Sequence, residues 1–189
     1  HEGSVTLRGK DITDQSIRER YAQHVSYIPQ DRQATGLILS FSVEENLILN
    51  EEYLKAYSRY GVLDTTGIRS HARELMERFD IRSQGSGAAA STLSGGNQQK
   101  VVFARELARD PDFLVAFNPA RGIDIHATNA IHRRLLERRE ASASILLIST
   151  ELDEVLALSD RVAVMFNGRL VHIFPSGTPR QVIGKLMVG

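Results

Sequence analysis

The octamer LSGGNQQK (residues 93–100) sets Ser94, Gly95 and Gly96 directly before a stretch in which Val101, Ala104, Leu107 and Ala108 recur at helical spacing. Glycine lets a backbone approach a ligand without a Cβ clash. A helix amino end offers free N–H groups and a partial positive charge, and Ser94 adds a hydroxyl. Together these residue types make an anion site suited to a terminal phosphate. The same residues also make a glycine-rich turn capped by Ser94 or Asn97. The tripeptide SGG alone reads as that turn; the whole octamer, closing a helical stretch just upstream of an apolar strand, points to the phosphate. The helix is expected to begin just after Gly95–Gly96 and to end near Asp110 and Pro111.

A second stretch, FLVAFNPARGID (residues 113–124), builds a platform and leaves out its chemistry. Its first five residues are apolar, and Pro119 and Gly122 then break the chain. That is how a buried parallel strand ends, with its carboxyl end opening onto a ligand crevice. In many phosphate-handling enzymes acidic residues stand at that edge to hold Mg²⁺ and position water. Here the edge carries Phe117 and Asn118. Asn hydrogen-bonds a water but cannot take its proton at neutral pH, and loss of a positioned base costs on the order of 10²–10⁴ in rate.

The elements that must position these groups fall into three zones. Up to Gly36 the pattern is strand (SVTL, 4–7), turn, a helix start with the capping box SIRE (16–19), and the strand VSYI (25–28), stopped by Pro29 and followed directly by Gln30. Residues 37–110 read as mostly helical: a second capping box, SVEE (42–45), with Leu47 to Leu49 continuing its apolar face; SHARELMERFDI with Leu75 and Phe79 on one stripe; a small-residue loop over 82–91; then the octamer. From 111 onward, strand and helix alternate: strand 113–117, helix 127–139 with Ile131 and Leu135 inward, strand SILLIS, helix ELDEVLALS, and a hairpin turning at Asn167–Gly168, which suits a type I′ turn. This pattern predicts an α/β fold with a mainly parallel sheet, residues 1–36 and 111–189 forming the core and residues 37–110 a helical insertion.

Composition narrows the partners. The 189 residues are 42% apolar and 24% charged, with 23 basic against 23 acidic residues and no formal net charge, which argues against nucleic-acid binding by bulk charge. There is no cysteine, and the six histidines show no ligand-like spacing, so neither disulfides nor a cysteine or histidine metal site is expected. No apolar run approaches the ~20 residues that cross a bilayer, and the first residues, HEGSVTLRGKD, do not read as a signal peptide. A cytoplasmic location without direct membrane insertion is expected.

The segment TLSGGNQQKVVFARELARDPDFLVAFNPARGID resembles the signature motif and Walker B region of an ABC transporter nucleotide-binding domain. YIPQDR around Gln30 resembles that family's Q-loop, RGID ending at Asp124 its D-loop, and LLISTELDEVLALSDRVAVMFNGRL its switch region. The likeness runs from about residue 3 to 189, with four motifs in order. The forms LSGGNQQK, ARELARD and ELDEVLALSDR are most similar to the second, degenerate domain of the duplicated ATPase subunit in sugar and nucleoside importers, and the lost acids lean toward the nucleoside branch.

The resemblance implies an ABC-ATPase core with a signature subdomain, and it also exposes departures. No G-x-x-x-x-G-K-[ST] occurs, so the amino-terminal part with the phosphate loop is absent from the sequence. Phe117 stands at the Mg²⁺-associated Asp position, Asn118 at the catalytic Glu position, and Thr150 at the switch His position, so no catalytic residue is intact. Thr150 and Asp153 also form a T-x-x-D pattern, and a cap for the following helix is the favoured reading. Gln30 is either a polar turn residue or, as the resemblance implies, a contact to Mg²⁺ or water. Asp124 is an interdomain contact, the N-cap of the next helix, or both. His126 stands where the family has a small residue. Residues 37–57 would face a membrane subunit or be an ordinary solvated helix.

In this family ATP sites form between two domains, so a domain without its own acids still serves if its signature helix completes its partner's site. The implied binding set is Gln30, Ser94, Gly95, Gly96, Asn97, Gln98 and Asp124, with no metal ligands in this chain. ATP and Mg²⁺ would belong to the assembled subunit. The expected partners are another nucleotide-binding domain and transmembrane permease subunits, at the cytoplasmic face of the membrane. The parent complex would hydrolyse ATP, and this chain alone would not. A non-transport ABC protein acting on ribosome or DNA, and an inert structural pseudo-domain, are the alternatives.

Overall fold

Local signals set most element boundaries. A computed structural model describes residues 3–49 and 55–188. A hairpin of β1 (Thr6–Leu7) and β2 (Lys10–Asp11) turns at Arg8 and Gly9, both at positive φ, as a type I′ turn requires. Helix α1 (Ile17–Tyr21) starts at the Ser16–Glu19 capping box, with both reciprocal bonds formed. Strand β3 (Val25–Ile28) leads into a π-helical turn at Arg32–Gly36, and α2 (Val43–Leu47) starts at the Ser42–Glu45 capping box. A small hairpin, β4 (Ser58–Arg59) and β5 (Val62–Leu63), precedes α3 (Thr65–Arg78). Then come α4 (Gly95–Leu107), β6 (Phe113–Phe117), α5 (Ile125–Glu140), β7 (Ser144–Ile148) and α6 (Leu152–Leu158). The hairpin of β8 (Arg161–Phe166) and β9 (Arg169–Pro175) and helix α7 (Arg180–Val188) complete the order.

The centre is a parallel sheet in the order β3-β6-β7, with Ile28 opposite Ala116 and Ala116 opposite Leu147. This confirms the mixed α/β fold with a parallel sheet. One face packs on helices: Ile28, Leu114 and Ala116 share a single buried cluster with Val101, Val102, Phe103 and Ala104 of α4 and Ile131 and Leu135 of α5. That cluster also takes in Val43, Leu47, Ala72 and Leu75, so the signature helix belongs at once to the sheet and to the helical segment before it. Strand period does the sorting. The alternate residues Tyr27, Leu146 and Ile148 point to the other face and remain 45%, 48% and 41% exposed. That face is open on the flanking strands, while on the middle strand β6 Phe113, Val115 and Phe117 are half-buried.

Several boundaries differ from the sequence reading. The first strand is two residues long where four were expected. Helix α2 stops at Leu47, with Ile48 as its C-cap, so Leu49 does not extend its apolar face. The segment read as mostly helical also contains the β4–β5 hairpin, which turns at Tyr60 and Gly61 at positive φ; no apolar alternation announces so short a ladder. Helix α4 includes both glycines, because Ser94 is its N-cap. Residues 50–54 of the expected membrane-subunit surface lie outside the described residues. Asn167 and Gly168 adopt the positive φ expected of them.

Asn46 holds the loop that leads into α2. It is fully buried; its Oδ1 accepts from the Ile38 N–H at 2.9 Å, and its Nδ2 donates to the Ile38 and Ser42 carbonyls at 2.9 and 3.0 Å. Asn46→Ala would strand these backbone groups, at about 1–3 kcal/mol per unsatisfied buried group. Urea unfolding of the variant is expected to show a loss in that range, and an unchanged midpoint would contradict this role.

Candidate functional site

Three segments meet at the amino end of α4. Ser94 caps the helix: its Oγ accepts from the Asn97 N–H at 3.4 Å and from Asn97 Nδ2 at 3.0 Å. Asn97 Oδ1 in turn accepts from the Arg82 N–H at 2.8 Å. The N–H groups at the first helical positions have no acceptor within the helix. Ser94 is exposed, while Gly96 is buried against α5. A Cβ on Gly96 would lie 3.0 Å from Ala127 Cβ and 3.3 Å from Asp124 Oδ2. A side chain here would thus crowd α5 within the chain, in addition to any ligand outside it.

Asp124 is the N-cap of α5. Its Oδ1 accepts from the His126 and Ala127 N–H groups at 2.9 and 3.0 Å. The bond from Ala127 holds its carboxyl below the ordinary 3.8. A lowered folded value means that the capping contribution is complete above pH 3.8 and is lost only as the pH falls through the lowered value.

Ser94, Gly96, Asn97 and Asp124 line one cleft of about 620 Å³, together with Arg82, Lys100 and Arg133. Lys100 donates to Asp80 Oδ2 and to the Asp80 carbonyl, both at 2.7 Å, and that side-chain bond holds the Asp80 carboxyl down. Three cations against the carboxylates of Asp80 and Asp124, beside a helix amino end, give the cleft an anion-favouring character. Sequence reasoning missed Arg82 and Arg133, since neither belongs to a motif and only the fold brings them to Ser94.

Gln98 and Gln99 do not join the cleft; each is 3% exposed. Gln98 Nε2 donates to the Ala90 carbonyl at 3.1 Å and its Oε1 accepts from Gln33 at 2.9 Å. Gln99 Nε2 donates to the Pro119 carbonyl at 2.9 Å. Gln98, expected at the ligand, is instead an internal brace. Gly95 faces Arg32, whose Nη2 would lie 2.6 Å from a Cβ placed there. Gln30 sits two residues beyond the end of β3, away from the lining of the cleft.

The edge at Phe117 and Asn118 lies apart, at the carboxyl ends of β6 and β7. Asn118 is buried and left-handed, at φ 45°. Its N–H donates to the Ile148 carbonyl at 2.7 Å, and its Oδ1 accepts from the Thr150 N–H at 2.9 Å, with the Thr150 hydroxyl at 3.4 Å. Phe117 stands beside it, opposite Ile148. The expected Thr150–Asp153 cap is not formed: Glu151 occupies the N-cap of α6 without a side-chain bond, Thr150 turns to Asn118, and Asp153 pairs with Arg180 at 2.8 Å. The competing acceptor is the reason, because the Asn118 amide oxygen takes the N–H that would otherwise begin the cap. None of these groups offers Mg²⁺ a carboxylate. Among the described residues no three His, Asp or Glu side chains cluster as metal ligands.

The sequence profile of the family ABC transporter matches residues 1–121. The chain is 48% identical over 99% of its length to the nucleoside import ATP-binding protein NupA of Lactococcus lactis, and 42% identical over the same share to the guanosine import ATP-binding protein NupO of Bacillus subtilis. It is 37% identical over 91% of its length to the ribose import ATP-binding protein RbsA of Rhodopirellula baltica. The chain spans 37% of the length of the first two of these relatives and 33% of the third. Among solved structures, a nucleotide-free ATP-binding cassette from an ABC transporter aligns over 100% of this chain and 74% of its own, with a TM-score of 0.75 at 25% identity. A dimeric cassette in a post-hydrolysis state, bound to ADP and Pi, has the same TM-score at 19% identity, a likeness of fold.

The Asn118 clamp predicts a stability effect. Asn118→Ala removes the acceptor of the Thr150 N–H and puts an alanine in a left-handed position, so a loss of about 2–4 kcal/mol is expected. Denaturant unfolding checks it; a loss below about 0.5 kcal/mol would show that the clamp is incidental.

Proposed function

We propose, because the chain belongs to the ABC transporter family, that it is part of the ATP-binding subunit of an importer for nucleosides or sugars, and that it is the degenerate half of that subunit. Its task is to complete, with Ser94 and the Gly95–Gly96 backbone, the ATP site of a second nucleotide-binding domain, and to pass closure on to transmembrane permease subunits at the cytoplasmic face of the membrane. Among the described residues no helix is long and apolar enough to cross a bilayer.

One contrast carries this reading: the helix end at Ser94 is built for an anion, while the edge at Phe117–Asn118 is closed to one. At the first, a capped helix start opens with arginines onto a cleft. At the second, the amide oxygen that would have to poise water is spent on the Thr150 N–H. The nucleotide supplies a terminal phosphate and Mg²⁺ when bound. The residues here fit the phosphate from one side and do not fit the metal. Relatives named for nucleoside, guanosine and ribose import support the substrate class.

Ser94→Asp tests this directly in the full-length subunit with its permease. Aspartate caps a helix as well as serine, so folded stability should stay within about 0.5 kcal/mol of wild type. A carboxylate ~4 Å from a phosphate charge costs on the order of 4 kcal/mol at an effective dielectric of about 20, so steady-state ATP turnover should fall more than about tenfold. Wild-type turnover would remove the proposal. Asn118→Glu, conversely, is expected to create no hydrolysis at this half's own site in single-turnover assays, since Phe117 still gives Mg²⁺ no oxygen; a clear gain would show Asn118 to be the sole defect.

A further inference from the structure

We propose that Arg32 is a positioning residue that locks the amino end of α4 to the turn before Asp124 and ties both to the end of β3. Its place is unusual. Asp31 caps the turn that follows β3, accepting from the Gln33 and Ala34 N–H groups at 3.0 Å each, so Arg32 projects from a braced backbone. Its guanidinium then forks across 89 residues of sequence: Nη1 donates to the Arg121 carbonyl at 3.0 Å and Nη2 to the Gly122 carbonyl at 3.4 Å. Gly122 is at φ +68°, so these carbonyls belong to a sharp turn two residues before Asp124.

The same guanidinium lies against Gly95, where a Cβ would come within 2.6 Å of Nη2. The absent side chain of Gly95 is the space that Arg32 occupies. Two neighbouring bonds run in parallel. Gln33, the next residue, donates to Gln98 in the first turns of α4, and Gln99 donates to the Pro119 carbonyl in the same turn that Arg32 holds. The segment after β3, the start of α4 and the turn at 119–124 therefore form a triangle with a hydrogen bond on each side. Arg32 touches both other corners. Gln30 stands two residues upstream, so a displacement at Gln30 reaches Ser94 and Asp124 through this fork. A planar guanidinium holds two carbonyls at fixed spacing; an ammonium reaches one at a time.

The activity arm of the test rests on the proposed function, so it is paired with a structural arm. In the subunit that carries this chain, assembled with its permease, Arg32→Ala should lower kcat for ATP hydrolysis about ten- to hundredfold, the scale of a small misplacement of site groups. The KM for ATP should stay within about threefold, because the phosphate loop of the other half is untouched. Arg32→Lys should recover part of the loss. By hydrogen exchange, the bonded amides of Gln98, His126, Ala127 and Thr128 should open about tenfold faster in Arg32→Ala, with those of β6 unchanged. If kcat and these amides are unaffected while Ser94→Asp abolishes turnover, the importer reading stands and the role of Arg32 falls. If Ser94→Asp also leaves turnover intact, the reading itself fails and the exchange rates alone decide on Arg32. A uniform rise in exchange with a lowered melting temperature would reduce Arg32 to a general stabiliser and overturn the proposal.

Discussion

The close approach of α4 to α5 at Gly96 governs the rest of the molecule. A Cβ on Gly96 would lie 3.0 Å from Ala127 Cβ and 3.3 Å from Asp124 Oδ2, so any side chain there would crowd the two helices. That proximity fixes the direction of the α4 axis. It buries Val101, Val102, Phe103 and Ala104 against the sheet, and it leaves Ser94 at the exposed end. It also sets Asp124, the cap of one helix, beside the first turn of the other, so that two helix starts open on one cleft.

At the other edge of the sheet the same physics gives an opposite result. A strand end in a parallel sheet leaves backbone groups that need partners, and in an acidic edge those partners would be water and metal. Asn118 satisfies them within the chain: it donates its N–H to β7 and takes the Thr150 N–H on its amide oxygen. The platform survives as a clamp between β6 and β7.

Much of this was legible in the residues. The capping boxes at Ser16 and Ser42, the strands at 25–28 and 113–117 and the type I′ turn at Asn167 all rest on local rules that the fold obeys. What escaped was non-local. Thr150 carried a valid capping pattern, and its N–H went to Asn118, 32 residues away. Gln98 sat inside a binding motif, and the direction of its side chain was set by Ala90 and Gln33. Arg32 was in plain view in YIPQDR, yet nothing in its neighbours marks a partner at Arg121.

In the proposed role, the anion met by Ser94 is the terminal phosphate of a nucleotide held by another domain. A structure of the assembled subunit with bound nucleotide measures that contact directly. Ser94 Oγ and the Gly95–Gly96 N–H groups should lie within about 2.7–3.2 Å of the terminal phosphate oxygens, with no metal at Phe117. A terminal phosphate beyond hydrogen-bonding reach of Ser94, or one seated at Phe117 and Asn118, would contradict the account.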